Sequence, residues 1–187
     1  MHIVDKIINN YQTNNNLYIG EKVTISNHMI QTAMLAEKNH SSKSLICACL
    51  LHDYGHFVIE DPDLLVLKSL DGKHEDVGYD FLKDYFKPEV TEPIKLHVQA
   101  KRYLCRNRSY YDFLSDPSKI SLELQGGTMN DEEAQKFTSS KFYKDAITLR
   151  KYDDDGKIPN IKTKKIDDYR DLIASQLINK NNHNQEY

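Results

Sequence analysis

An all-α fold is what this sequence predicts, on three observations. Apolar residues recur three and four positions apart in one segment after another, the period of a single helix face. No stretch alternates apolar and polar residues for long enough to form a half-buried strand. The 187 residues carry no internal repeat and suit one domain of ordinary size, expected over 1–178, with a polar tail at 179–187.

Ile3, Val4, Ile7, Ile8 and Tyr11 share a helical face, and the Asn-rich Thr13-Asn14-Asn15-Asn16 ends that helix. After the linker Leu17-Tyr18-Ile19-Gly20-Glu21, a second helix is predicted from about Thr24 to Lys38, with His28 among Ile25, Met29, Thr32, Met34 and Leu35. Ser41 or Ser42 can cap a third helix, Lys43 to His52. Its run Ile46-Cys47-Ala48-Cys49-Leu50-Leu51 is wholly apolar and therefore central. Residues 54–72 read as a polar loop with Gly55, Pro62 and Gly72. His74 opens a fourth helix, and Pro88 and Pro93 mark the next boundary, which places a fifth helix from Ile94 to Arg106. From Tyr110 to Met129 the chain reads as irregular. Asp131-Glu132-Glu133 fits a helix N-terminus, where acidic side chains meet the positive end of the helix dipole. A helix from about Lys141 carries Ala146, Ile147, Leu149 and Tyr152 and ends at Asp153-Asp154-Asp155-Gly156-Lys157; a last one spans about Lys165 to Ile178.

Charged residues are 28% of the chain and the formal net charge is −3, so no global field draws it to nucleic acid or to an anionic membrane. There is no basic run with interleaved aromatics, and no apolar run approaches the roughly 18 residues of a membrane span. The three cysteines are an odd number, and Cys47 and Cys49 lie in the apolar helix, which favours reduced thiols. With no basic region followed by an apolar block near Met1, a cytoplasmic location is expected.

The chemistry starts from the doublet His52-Asp53 at the end of the apolar helix. Neighbouring residues on a helix point about 100° apart and rarely serve one site, unless a metal ion or a pair of ions lies over both. His28, His74, His97 and Asp153 are candidates to complete the set. Imidazole and carboxylate donors without thiolates suit iron, manganese or zinc and disfavour a structural zinc site. A lone histidine is ordinarily a hydrogen-bonded core or surface residue, so the reading rests on the set. Lys101 follows His97 by one turn and can reach an anion held at the metals. Ser118 and Ser121 are small donors suited to phosphate-like oxygens, and Glu21 and His56 suit a cationic group. Gly126 and Gly127 can supply positive φ in a turn.

The pattern H…HD…H…H…D at His28, His52, Asp53, His74, His97 and Asp153 resembles the HD-domain superfamily, an all-helical, metal-dependent fold. Most of that superfamily hydrolyses phosphate esters, and histidines like His74 and His97 occur in its two-metal members. Further segments resemble its mixed-valent diiron oxygenases, closest to the 2-amino-1-hydroxyethylphosphonate dioxygenases and more distantly the inositol oxygenases. These are Tyr18-Ile19-Gly20-Glu21, His52-Asp53-x-Gly55-His56, His97-Val98-x-Ala100-Lys101-Arg102-Tyr103-Leu104, Leu114-Ser115-Asp116-x-Ser118 and Gln125-Gly126-Gly127-x-Met129. The resemblance implies two iron ions, Fe(II)/Fe(III), held by the six histidines and aspartates. It implies O2-dependent cleavage of the carbon–phosphorus bond of an α-hydroxylated aminophosphonate, primary or N-methylated, to an amino acid or betaine and phosphate. It also implies an upstream α-ketoglutarate-dependent hydroxylase. Tyr18 then matches a tyrosine that occupies an iron position until substrate arrives, and Glu21 a glutamate that contacts the amino group. Arg150, Tyr152, Asp153 and Lys157 are similar to the family's Arg-x-aromatic-Asp-x-x-x-Lys, which favours Asp153 as the last ligand and leaves its neighbour Asp154 as the fallback. The alternative is an HD-type phosphohydrolase acting on a nucleotide or phosphate monoester through a metal-activated water. A non-catalytic ligand sensor is a third class, disfavoured by an intact His/Asp set.

Overall fold

Helical spacing of the apolar residues is realised throughout the computed structural model, which describes residues 2–18, 22–59 and 73–179. The described residues form ten α-helices and no strand. In order these are α1 (Ile3–Thr13), α2 (Ile25–Lys38), α3 (Lys43–Leu51), α4 (His74–Leu82) and α5 (Pro88–Leu104). Then come α6 (Arg108–Phe113), α7 (Asp116–Leu124), α8 (Asp131–Thr138), α9 (Tyr143–Asp155) and α10 (Arg170–Ser175). Two 3-10 turns, Tyr54–Phe57 and Ile166–Tyr169, follow α3 and precede α10.

The apolar run of α3 makes it the central element: Leu45 to Leu51 are all buried, and α2 and α5 pack on it while α9 lies across α5 and α2. Burying a Leu or Ile side chain fully stabilises the fold by about 1.5–3 kcal/mol. A core running through Val4, Ile7, Met29, Ala33, Leu50, Leu51, Ile94 and Leu149 therefore ties α1, α2, α3, α5 and α9 together. Side-chain caps fix where these helices start. Thr24 Oγ1 accepts the Asn27 N–H at 3.1 Å, and Ser42, not Ser41, accepts the Leu45 N–H at 3.1 Å. Asn130 and Glu133 cap α8 reciprocally.

Three predicted boundaries differ. The fifth helix begins at Pro88, not Ile94. Pro88 occupies the first turn, where no N–H partner is needed, and Pro93 sits within the helix with one backbone bond forgone. Residues 110–129 are not irregular, because they hold α6 and α7. Asn107 Oδ1 accepts the Ser109 N–H at 2.9 Å, and Ser115 Oγ the Ser118 N–H at 3.4 Å, so polar residues that read as loop serve as helix caps. The last predicted helix is a 3-10 turn plus the short α10, the Lys165 N–H being taken by Asp168 Oδ2 at 2.9 Å. No helix among the described residues is long and apolar enough to cross a membrane. Glu21 with its neighbours 19 and 20, loop positions 60–72 and tail positions 180–187 lie outside the described residues.

Candidate metal centre

Four helix ends and one helix middle bring the candidate ligands together. His28 projects from α2, His52 caps the C-terminus of α3 with Asp53 next in chain, His74 is the first residue of α4, His97 lies inside α5, and Asp153 is in the last turn of α9. All six are buried. They form two groups, His28–His52–Asp153 and Asp53–His74–His97.

The groups share one carboxylate. Asp53 Oδ2 lies 3.3 Å from His52 Nε2 and 3.6 Å from His28 Nε2, while Oδ1 lies 3.2 Å from His74 Nε2 and 3.5 Å from His97 Nε2. His28 Nε2 is 3.1 Å from His52 Nε2 and 3.1 Å from Asp153 Oδ1; His74 Nε2 and His97 Nε2 are likewise 3.1 Å apart. Two nitrogens bound to one ion at ~2.1 Å and near right angles would lie about 3 Å apart, so both spacings suit a shared ion.

The opposite ring nitrogens decide what Nε2 can do. Nδ1 of His28 donates to the Gly156 carbonyl at 3.0 Å, that of His52 to the Cys49 carbonyl at 2.9 Å, and that of His97 to the Ile94 carbonyl at 2.6 Å. A carbonyl only accepts, so each Nδ1 carries a proton, and an Nε2 that carries none aims its lone pair at the others. Asp53 Oδ1 and Oδ2 and Asp153 Oδ1 are buried without a hydrogen-bond partner. Facing lone pairs beside orphaned carboxylate oxygens repel one another unless positive charge lies between them. Protons can supply it: burial disfavours charge on His52 and His74, yet Asp53 outweighs burial and holds both above the usual imidazole range. Burial likewise favours a neutral Asp53, but His52 and His74 hold it well below the usual carboxylate range. Metal cations fit the same place, and the donor set of four imidazoles and two carboxylates suits two of them.

Glycine sets the approach of these elements. A Cβ on Gly55 would lie 1.9 Å from the His74 carbonyl oxygen, so only glycine lets the 3-10 turn sit on the start of α4. A Cβ on Gly156 would lie 2.5 Å from Thr32 Oγ1, and it is the Gly156 carbonyl that orients His28.

Five of the six predicted substrate residues, all but Glu21, are among the described residues. Tyr18 packs its ring 4.7 Å from that of His28 and 6.2 Å from that of His56. Burial, then the Asp53 and Asp153 carboxylates, push its phenol well above the usual range, so it stays protonated. His56 stacks on His74 at 4.4 Å, and burial with the neighbouring His74 lowers it to about 3. Lys101 is buried and donates to Ser121 Oγ at 2.8 Å. Ser118 is buried at the wall of a cavity of about 200 Å³ lined also by Phe113, Leu114, Ser115, Asp154 and Lys157. Gly126 and Gly127 do adopt positive φ, at +97° and +70°, and their carbonyls accept from Arg102 in a structural turn.

Lys157 was not among the expected site residues. Its Nζ lies 3.6 Å from Asp153 Oδ1, 3.5 Å from Ser118 Oγ and 5.1 Å from the centre of the Tyr18 ring. The signal was available in the Arg-x-aromatic-Asp-x-x-x-Lys pattern, which Lys157 closes, although Lys157 lies beyond the end of α9 and reaches Asp153 from the chain after it. Asp153 and Asp154 are told apart by partners: Asp153 faces His28, whereas Asp154 is bonded to Arg150 and Tyr110.

Known proteins resemble this chain. Residues 25–136 match the HD domain. A hydroxymethylphosphonate dioxygenase of Gimesia maris is 41% identical over 162 residues, 86% of this chain and 81% of that protein. A [1-hydroxy-2-(trimethylamino)ethyl]phosphonate dioxygenase (glycine-betaine-forming) of Leisingera caerulea is 39% identical over 147 residues, 78% of this chain and 75% of that protein. An uncharacterized protein of Acanthamoeba polyphaga mimivirus is 36% identical over 184 residues, 96% of this chain and 84% of that protein.

Proposed function

The chain belongs to the HD-domain phosphonate dioxygenase family, and from that premise we propose that it oxidises an α-hydroxylated phosphonate with O2 at an Fe(II)/Fe(III) pair. The reaction balances as R–CH(OH)–PO3H2 + O2 giving R–COOH and H3PO4. The observation that carries the reading is the buried Asp53 carboxylate, without a hydrogen-bond partner and turned toward both histidine pairs, with a buried Lys101 one helical turn beyond His97. His28, His52 and Asp153 would hold one ion, His74 and His97 the other, and Asp53 both. Bound iron would supply the activation of dioxygen.

The chain's own residues do the rest. Lys101, Lys157, Ser118 and Ser121 present two ammonium groups and two hydroxyls to phosphonate oxygens. Tyr18, protonated, and His56, neutral, cover the side where the substrate carbon chain would lie and keep bulk water off it. Glu21 would take a cationic amine, where the substrate has one. Relatives named for a substrate without an amine and for one with a trimethylammonium group support the α-hydroxyphosphonate core more than any one substituent. An α-hydroxylation by a separate α-ketoglutarate-dependent enzyme would supply the substrate. Three buried free thiols, Cys47, Cys49 and Cys105, support a reducing cytoplasm as the setting.

The test is to load the protein with Fe(II) without oxygen, then add O2 and, separately, hydroxymethylphosphonate, 2-amino-1-hydroxyethylphosphonate and its N-trimethyl form. Coupled oxygen uptake and phosphate release with at least one, and an EPR signal of a mixed-valent pair, are expected. Silence with all three would sink the reading, and oxygen-independent phosphate release from monoesters would replace it with the hydrolase.

A further inference from the structure

We propose that Tyr110 and Asp154 are positioning residues of this reaction: with Arg150 they clamp the α6–α7 segment to α9, setting both the metal-facing oxygen of Asp153 and the serine wall of the substrate cavity. The clamp is a closed set of hydrogen bonds. Arg150, buried in α9, donates from Nη1 to Asp153 Oδ2 at 2.7 Å, from Nη2 to Asp154 Oδ1, and from Nε to the Tyr110 hydroxyl at 3.4 Å. The Tyr110 hydroxyl in turn donates to Asp154 Oδ2. A guanidinium is planar, so two partners on one edge fix where the remaining donor points.

Three consequences follow from this geometry. With Oδ2 of Asp153 occupied by Arg150, only Oδ1 is left, and it is the orphaned oxygen 3.1 Å from His28 Nε2. Were Asp154 neutral, the guanidinium would be free to take both oxygens of Asp153 in a two-pronged pair and so compete with a metal for Oδ1. Second, Asp154 lines the cavity, and an unpaired carboxylate there would repel a phosphonate; Arg150 and Tyr110 engage both its oxygens. Third, the α6–α7 segment rests on its own small apolar cluster of Cys105, Leu114 and Leu122, apart from the main core. Its polar ties to the site include Lys101–Ser121, Lys157–Ser118, and Tyr110 to both Asp154 and Arg150. The first two use groups that a bound phosphonate would claim, whereas the Tyr110 tie spends no substrate-binding group and holds the wall while the anion is bound.

The inference rests on the proposed function: its kinetic arm on the phosphonate substrate, its retention arm on the two-iron centre alone. Tyr110→Phe keeps the ring and removes the hydroxyl. With the iron-loaded enzyme, its KM for hydroxymethylphosphonate should rise about tenfold, the effect of losing one hydrogen bond to a charged group, with kcat within about twofold of wild type. Asp154→Asn should lose one of two irons during dialysis against a chelator that leaves the wild type loaded, and Asp154→Glu should regain it. A Tyr110→Phe enzyme with wild-type KM and a lower melting temperature alone would overturn the positioning role, as would an Asp154→Asn protein that keeps both irons. Metal retention is read without turnover, so a wild-type enzyme that binds two irons yet oxidises no phosphonate would count against the functional reading while the Asp154 comparison still decides this one.

Discussion

Burial, followed by the Arg150 guanidinium, lowers the Lys101 ammonium to about 7, far below a free lysine. Its proton is therefore lost as pH rises through neutrality, and with it the charge-assisted bond to an anionic substrate. We expect kcat/KM for the phosphonate to fall as pH rises through about 7 in a profile that Lys101→Arg, charged at every working pH, flattens. Lys101→Met should lower kcat/KM at about pH 6 by roughly 10- to 100-fold, the range for a hydrogen bond to a charged group. A Met variant with an unaltered pH–rate profile would exclude Lys101 from substrate binding. The lysine reaches this state because α5 places it one turn beyond His97, under the α7 serines, where water is excluded. The same helix on a surface would carry an ordinary solvated lysine.

At the scale of elements, the meeting of the 3-10 turn with α4 is the tightest joint in the site. Gly78 completes it, since a Cβ there would lie 3.0 Å from the Gly55 backbone nitrogen. Gly55→Ala must push backbone against backbone, and His74 cannot be moved without moving its ligand nitrogen. The substitution should destabilise the fold by about 3 kcal/mol, the upper end for overpacking, and should release metal from the His74–His97 group before the other. Gly127→Ala is the contrast. It sits at φ +70° with nothing within 4 Å of its added Cβ, so it should cost about 1–2 kcal/mol of backbone strain and keep both ions. Thermal melts and metal content after dialysis check the pair; equal metal loss in both variants would refute the joint's role.

For the whole molecule, the candidate metal centre and the core are separate sources of stability that meet where the first turn of α2, the C-terminus of α3, the start of α4, the middle of α5 and the last turn of α9 converge. The core around α3 is apolar and complete without an ion. The centre instead buries carboxylate oxygens that have no partner in the protein. Chelation should therefore leave helicity intact by circular dichroism while lowering the melting temperature. Each ion present at 100 times its Kd contributes about 2.7 kcal/mol, and a domain of this size shifts roughly 2–4 °C per kcal/mol. Stripping both should lower the melting temperature by at least about 10 °C, and re-adding metal should restore it. An unchanged melting temperature would mean that protons, not metal, neutralise Asp53 and Asp153.

Several helices are legible in the sequence alone, because apolar spacing and capping residues are local properties: α1, α2 and α3 follow from Ile7, Thr24 and Ser42 without reference to anything distant. The sequence also marked the ligand types, since His52-Asp53 at the end of an apolar run is a chemical signature readable in place. Where local signals conflict, it misled: Pro93 reads as a helix boundary and Ser115-Asp116-Pro117 as a loop, but tertiary packing keeps the first inside α5 and makes the second the start of α7. Only the tertiary structure decided that Asp53 turns one oxygen to each histidine pair, that Asp153 rather than Asp154 joins His28, and that Lys157 and Tyr110 meet groups 39 and 44 residues away. Those outcomes depend on which side chain of a doublet or triplet points inward when four helices converge. That orientation is set by the packing of distant apolar faces, and no local pattern encodes it.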